Sequence, residues 1–147
     1  MRLYLGILLC CLFFVLTTST AFARNTFHDL EVKQAAESEI GKAKLLDVPF
    51  YMLGQKHPMM ARDLGVFTSN KRTNAFNKTD EAACQIVFLS AIISLQSRAR
   101  QLGADAVIDI RSITKHNDLE SATSYRCVAG NVVANVALTG RVVEFEK

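Results

Sequence analysis

Cys84 and Cys127 are the residues best placed to do covalent chemistry in this 147-residue chain. Four cysteines are present, but Cys10 and Cys11 lie inside an apolar run from Leu3 to Leu16. That run follows Met1-Arg2 and leads through Thr17-Thr18-Ser19-Thr20 to Ala21-Phe22-Ala23. A basic start, a short apolar core and small residues three and one before the cut form a secretion signal. At about 14 residues the run is shorter than the roughly 20 needed to span hydrocarbon. Cleavage after Ala23 predicts a periplasmic or secreted protein with a single cysteine pair. In an oxidising compartment such a pair forms a disulfide. Closing a loop of 43 positions would contribute roughly 4 kcal/mol. A redox-active pair is the alternative, although the spacing is not Cys-x-x-Cys.

A second cluster, His57-Pro58-Met59-Met60 with Met52 nearby, joins an imidazole to thioethers. That ligand set suits Cu(I) in an exported protein, and the competing reading is a polar loop whose methionines pack on the core. His28, His57 and His116 are otherwise scattered without ligand spacing. Nucleophilic or acid–base catalysis would need a nucleophile beside a base, or paired carboxylates. No Gly-x-Ser-x-Gly or His-Glu-x-x-His motif occurs, so a non-enzymatic protein without a cofactor is expected. Asp105 and Asp109 read as a turn-setting residue and a solvated or subunit-facing one. Asn77-Lys78-Thr79 matches a glycosylation acceptor, but at a helix start capping explains it more simply.

These residues need elements to position them. Arg24 to Leu46 reads as a polar leader, weakly helical from Val32, with Gly41 arguing against one long helix. A single domain is expected over residues 48–147. Val48–Leu53 reads as a short strand limited by Pro49 to an edge or a strand start. Gly54–Asp63 reads as a loop and Leu64–Thr73 as a strand. The clearest element is a helix from Thr79 to Leu102, with Asp80 and Glu81 in its first turn, Arg98 and Arg100 near its last, and Gly103 after it. Cys84, Phe88, Ala91, Leu95, Ala99 and Leu102 recur at helical spacing and face the core. Ile86, Leu89 and Ile93 make a second stripe, whose partner is the leader around Leu45-Leu46 or a second subunit.

Ala104–Lys115 reads as a strand, with Ala106, Ile108 and Ile110 on one side and Val107, Asp109 and Arg111 on the other. His116–Thr123 is a polar turn. Ser124–Phe145 is almost continuously strand-like, with Val132, Ala134, Val136 and Leu138 on one face. Gly130-Asn131 is a hairpin turn or a bulge, and Gly140 a second bulge. The fold class is α+β, one long helix on an antiparallel sheet.

Removing Arg2 leaves 16 basic and 14 acidic residues in a 124-residue mature chain, a net charge near +2. The charges are interspersed, without the clustered basic and aromatic footprint of a nucleic-acid binder. No membrane span is expected after Ala23.

The stretch Leu95-Gln96-Ser97-Arg98-Ala99-Arg100-Gln101-Leu102-Gly103-Ala104-Asp105-Ala106-Val107-Ile108 resembles the helix-to-strand junction of the YbjQ-like family. Members of that family carry a helix ending in Leu-Gly-Ala-Asp/Asn-Ala-Val. Val136-Ala137-Leu138-Thr139-Gly140-Arg141-Val142-Val143 is similar to its closing strand. The resemblance covers roughly residues 64–145. It implies ring-like homo-oligomers and, for some relatives, heavy-metal binding. Exported members with paired cysteines are similar to RcsF-type envelope-stress sensors, in which disulfides tie the helix to the strands. Those proteins have four such cysteines and a lipid anchor, where this chain has one pair and no lipobox. Some relatives carry an excinuclease ATPase label, which needs a phosphate loop ending in Gly-Lys-Ser/Thr. Here Gly41-Lys42 is followed by Ala43, and the label is rejected.

The expected function is therefore an exported binding module of the bacterial envelope with an unknown envelope protein as partner. A metal-binding module at His57, Met59 and Met60 is the runner-up, and a small enzyme comes third. By elimination, the loops Lys71–Lys78 and His116–Ser121 are the expected contact surfaces.

Overall fold

The structure is a computed structural model that describes residues 24–114 and 117–147. Its spine is the long last strand. The elements in order are β1 (Thr26–Glu31), α1 (Val32–Glu37), α2 (Glu39–Lys44), β2 (Phe50–Met52) and β3 (Met60–Asn74), then α3 (Asp80–Gln101), β4 (Ala106–Ser112), β5 (Ser124–Ala129) and β6 (Val133–Phe145). On one edge β6 pairs antiparallel with β3, from Met60↔Phe145 to Asn74↔Val133. Its other edge is shared. The first part pairs with β5 at Val128↔Asn135 and Ala129↔Ala134, and the later part with β4 from Ser112↔Leu138 to Ala106↔Val143. β1 extends the sheet beyond β5, and β2 extends it beyond β4.

The α+β class holds, but the sheet is mixed rather than antiparallel throughout, because β2 pairs parallel to β4. Between them the chain passes along β3 on the far edge and returns through α3, so β4 starts from the same end as β2. Such a parallel pair requires a long crossover of this kind.

The segment expected to be a polar leader contributes a strand to the sheet. Thr26–Glu31 pairs residue by residue with Ser124–Ala129. Its half-buried positions are Thr26, His28 and Leu30. With a single large apolar residue among them, the period-2 signal is too weak to read. The helical part breaks at Ser38 rather than at Gly41. Ser38 Oγ accepts the backbone N–H of Gly41 at 3.0 Å, which caps α2. Gly41 is required for closeness: a Cβ there would lie 2.4 Å from the Ala35 carbonyl oxygen.

α3 falls within one residue of its expected bounds. Thr79 caps it by accepting from Ala82 N–H at 3.2 Å, and Gly103 follows at φ +65°. Cys84, Phe88, Ala91, Leu95 and Ala99 are buried, while Leu102 at the end is 40% exposed. By length and composition α3 is apolar enough to cross a bilayer, but most of that apolar surface is buried against the domain. Its core partners on β6 are Ala134, Val136, Leu138 and Val142. Val132, expected on the same face, is exposed in the turn. That turn is a hairpin, closed by Gly130 N–H donating to Val133 O at 2.9 Å.

The expected bulge at Gly140 lies across from it. Ile108 pairs with Arg141 and Arg111 with Thr139, so Asp109 and Ile110 together oppose Gly140. The extra residue is in β4, where Asp109 has φ +53°. This changes the phase of the strand. Ile110 joins Val107 in the α3-side core, while Ala106 and Ile108 lie in a separate cluster with Val143. The expected grouping of Ile110 with Ala106 and Ile108 is therefore corrected. β6 itself is continuous, and Val143 and Phe145 are out of phase because they build that second cluster. Gly140 leaves the room the bulge uses: a Cβ would lie 2.8 Å from Val107 Cγ1 and 2.9 Å from Ile110 Cγ1.

Candidate functional site

Cys84, on the second turn of α3, is bonded to Cys127 in β5 with the Cα atoms 5.7 Å apart. Both residues are fully buried. One turn further along α3, the Phe88 ring stacks on Tyr125 at a centroid distance of 3.9 Å. Burial pushes the Tyr125 phenol well above its usual pKa. The disulfide and this stack join the helix to the β5 side of the sheet, and a covalent pair of this kind is consistent with an oxidising compartment. The signal-peptide expectation falls on residues 1–23, outside the described residues.

A polar cluster sits at the start of α3 that no local pattern announces. Asp80 Oδ2 is 2.9 Å from His28 Nε2, and Asp80 Oδ1 accepts from the Arg24 guanidinium at 2.8 Å. The Arg24 hydrogen bond, with His28 in addition, holds the Asp80 carboxyl below the usual carboxylate range. The partners are more than 50 positions apart in sequence, so only the pairing of β1 with β5 brings them together.

The proposed metal-binding residues are divided. His57 packs its ring against Phe145 at 6.1 Å and Tyr51 at 5.7 Å, with Nδ1 2.8 Å from the Pro58 carbonyl. Met59 and Met60, in the segment that follows, are exposed. Met52 is 1% exposed in the α3-side core, whereas adjacent Tyr51 belongs to the cluster on the other face. Successive strand residues point to opposite faces, which removes Met52 from the set. Among the described residues, no group of three or more His, Cys, Asp or Glu gathers to hold a metal ion.

Of the second helix stripe, Leu89 is buried in one core cluster with Val32 and Ala35, while Ile86 and Ile93 remain half-buried. The leader docks through Gln96. This buried side chain accepts from Leu46 N–H at 3.0 Å and donates to Leu46 O at 2.9 Å and Val48 O at 2.8 Å. Asp105 does more than shape the turn: its Oδ2 accepts from Phe145 N–H at 2.8 Å and anchors the end of β6. Asp109 lies 3.7 Å from the Arg141 guanidinium, which also pairs with Asp63. The Gly65 N–H, and then Arg141, hold the Asp63 carboxyl below its usual range.

The two loops chosen by elimination differ. In 116–121, His116 lies outside the described residues, and Leu119 bridges back to Ser112. Lys71–Lys78 leads into an apolar end of the sheet. Phe76 and Val132 are 61% and 59% exposed, with Val133 beside them. Together with Arg72, Thr73 and Asn74 they line an open concavity of about 550 Å³. Ala75 N–H donates to Val132 O at 2.7 Å, and Asn74 Oδ1 accepts from Phe76 N–H at 2.8 Å. These bonds hold the β3–α3 connection beside the β5–β6 hairpin, so both loops present their apolar residues together. Asn77 adopts φ +58° within this connection.

Compared with protein-family models, with curated proteins and with solved structures, the chain matches none of them.

Proposed function

We propose that this protein is an exported, non-enzymatic binding module of the bacterial envelope that engages a protein partner through the apolar end of its sheet. The observation that carries this reading is the side-by-side exposure of Phe76, Val132 and Val133 with Arg72 at their rim. An exposed aromatic with aliphatic neighbours and an arginine has the composition enriched at protein interfaces. The helix-to-strand disulfide supports export, as does the signal-like start of the chain. It is also the feature through which the RcsF-type likeness, together with the Leu102–Val107 junction, enters the proposal.

The test is site-specific photocrosslinking in the producing cells, with the reactive group at Phe76 and, as a control, at exposed Lys44. A discrete protein adduct from position 76, lost with Val132→Asp, is the expected result. Identical adduct patterns from positions 76 and 44 would overturn the reading.

A further inference from the structure

We propose that the open edge of β3 receives an extended, acidic polypeptide segment as an additional strand. This rests on the reading of the protein as a protein-binding module and specifies the partner's chemistry. Among the described residues, β3 pairs with β6 alone, so its other edge presents backbone N–H and C=O groups to solvent. Edges are usually blunted by shortness, proline, a bulge or charged side chains, and of these only charge, at Lys71 and Arg72, is present between Val66 and Asn74. β3 has 15 residues and no proline, and its bulges fall before Val66. From Val66↔Arg141 to Asn74↔Val133 its register is unbroken. That stretch is a regular template.

α3 makes the edge selective. The chain turns at the end of β3 and runs back antiparallel beside it, until the Arg98 guanidinium lies 5.0 Å from the Phe67 ring centroid. Between helix and strand is a cleft of about 260 Å³ lined by Phe67, Ser94, Ser97, Arg98 and Gln101 among others. A strand added about 4.8 Å from β3 would lie along this cleft. Every second side chain would turn toward α3, and the main chain would bond to β3. In strand addition the backbone supplies affinity and the alternate side chains supply choice.

Charge decides the occupant. From Val66 to Asn74 the strand carries Lys71 on the face that α3 covers and Arg72 on the opposite face, and no acidic residue. The helix flank adds Arg98, and none of these three cations has a carboxylate partner among the described residues. A second copy of β3 would bring basic residues to basic residues. An acidic segment supplies the missing carboxylates. Its end would reach the Phe76 and Val132 concavity, which adjoins Asn74.

The experiment selects a phage-displayed library of random peptides about ten residues long against the full-length oxidised protein. The enriched peptide is then synthesised and titrated while backbone amide exchange is followed. Acidic peptides that slow exchange across Val66–Asn74 are expected, with Arg98→Glu weakening binding about tenfold through loss of a charge-assisted bond. Ser94→Glu, which places a like charge at the same cleft, gives the same test should Arg98→Glu fail to fold. Enrichment of neutral or basic peptides, protection elsewhere on the molecule, or affinity unchanged in both variants would overturn the proposal. So would concentration-dependent protection of β3 without peptide, which would show self-pairing. If the crosslink at position 76 persists in any of these cases, the binding-module reading stands and the strand-addition inference alone falls.

Discussion

On the face of the sheet that α3 covers, Val136, Leu138 and Val142 share one apolar cluster with Phe88, Ala91 and Leu95 and with the Cys84–Cys127 bridge. On the opposite face, among the described residues, the buried cluster is Ala106, Ile108 and Val143, with Tyr51 and Phe145 packed against it. The rest of that face is solvated, with Phe27 and Val66 exposed among charged residues. Asp29 pairs with Arg126 there, and Arg141 engages both Asp63 and Asp109. The difference shows how one strand serves two cores. Because Asp109 and Ile110 together oppose a single residue, β4 gives Ile108 to the small cluster and Ile110 to the large one. The covered face is held by packing and a covalent bond. The other face is held by a small apolar patch and ion pairs that water screens.

The largest way to break this contrast is to remove the bridge. Cys84→Ser/Cys127→Ser should lower unfolding stability by roughly 4 kcal/mol in denaturant titrations. A loss below about 1 kcal/mol would mean that packing alone holds the covered face. Truncation on the two faces sharpens the comparison further. Leu95→Ala, which empties fully buried volume, should cost about 3 kcal/mol. Phe145→Ala, on a half-buried ring, should cost about 1 kcal/mol. Equal losses would show that the small cluster carries as much of the fold as the large one.

Gly140→Ala tests the bulge that separates the faces. Its new methyl would press on Val107 and Ile110, and overpacking of this kind costs about 1–3 kcal/mol. A neutral result would mean that β4 shifts freely.

The smallest effect belongs to the ion pairs. Arg126 holds the Asp29 carboxyl below its ordinary value, and Arg24 does the same for Asp80 at the start of α3. A depressed carboxyl contributes stability that is fully present above its unfolded pKa of about 4 and is lost as pH falls through the lower folded value. The melting temperature should therefore be insensitive to these groups near neutrality and decline below about pH 4. Asp29→Asn should cost less than about 1 kcal/mol at neutral pH and make the acid decline shallower. An unchanged acid limb would remove Asp29 from the account.

α3 was legible because a helix is written locally. Its cap at Thr79, its apolar stripe and Gly103 lie within the segment they define. The loop Lys71–Lys78 was legible only as what remained, and nothing local shows that Phe76 meets Val132 across 56 positions. The strand Thr26–Glu31 is not legible in the sequence, because Thr26 and His28, rather than apolar side chains, face inward. Nearness in sequence groups Met52 with His57, but the pleat of β2 sends it to the other side.

The sequence by itself determined the long helix with its two ends, the α+β character and the pairing of Cys84 with Cys127. Each follows from bonds between near neighbours or from the small number of cysteines available. Only the tertiary structure decided which face each strand residue serves, that β2 runs parallel to β4, that His28 and Arg24 meet Asp80, and that, among the described residues, β3 keeps an edge open beside α3. Strand sidedness depends on the partner strand's register. A single extra residue reverses it at almost no local cost, so no reading of one strand alone can supply it.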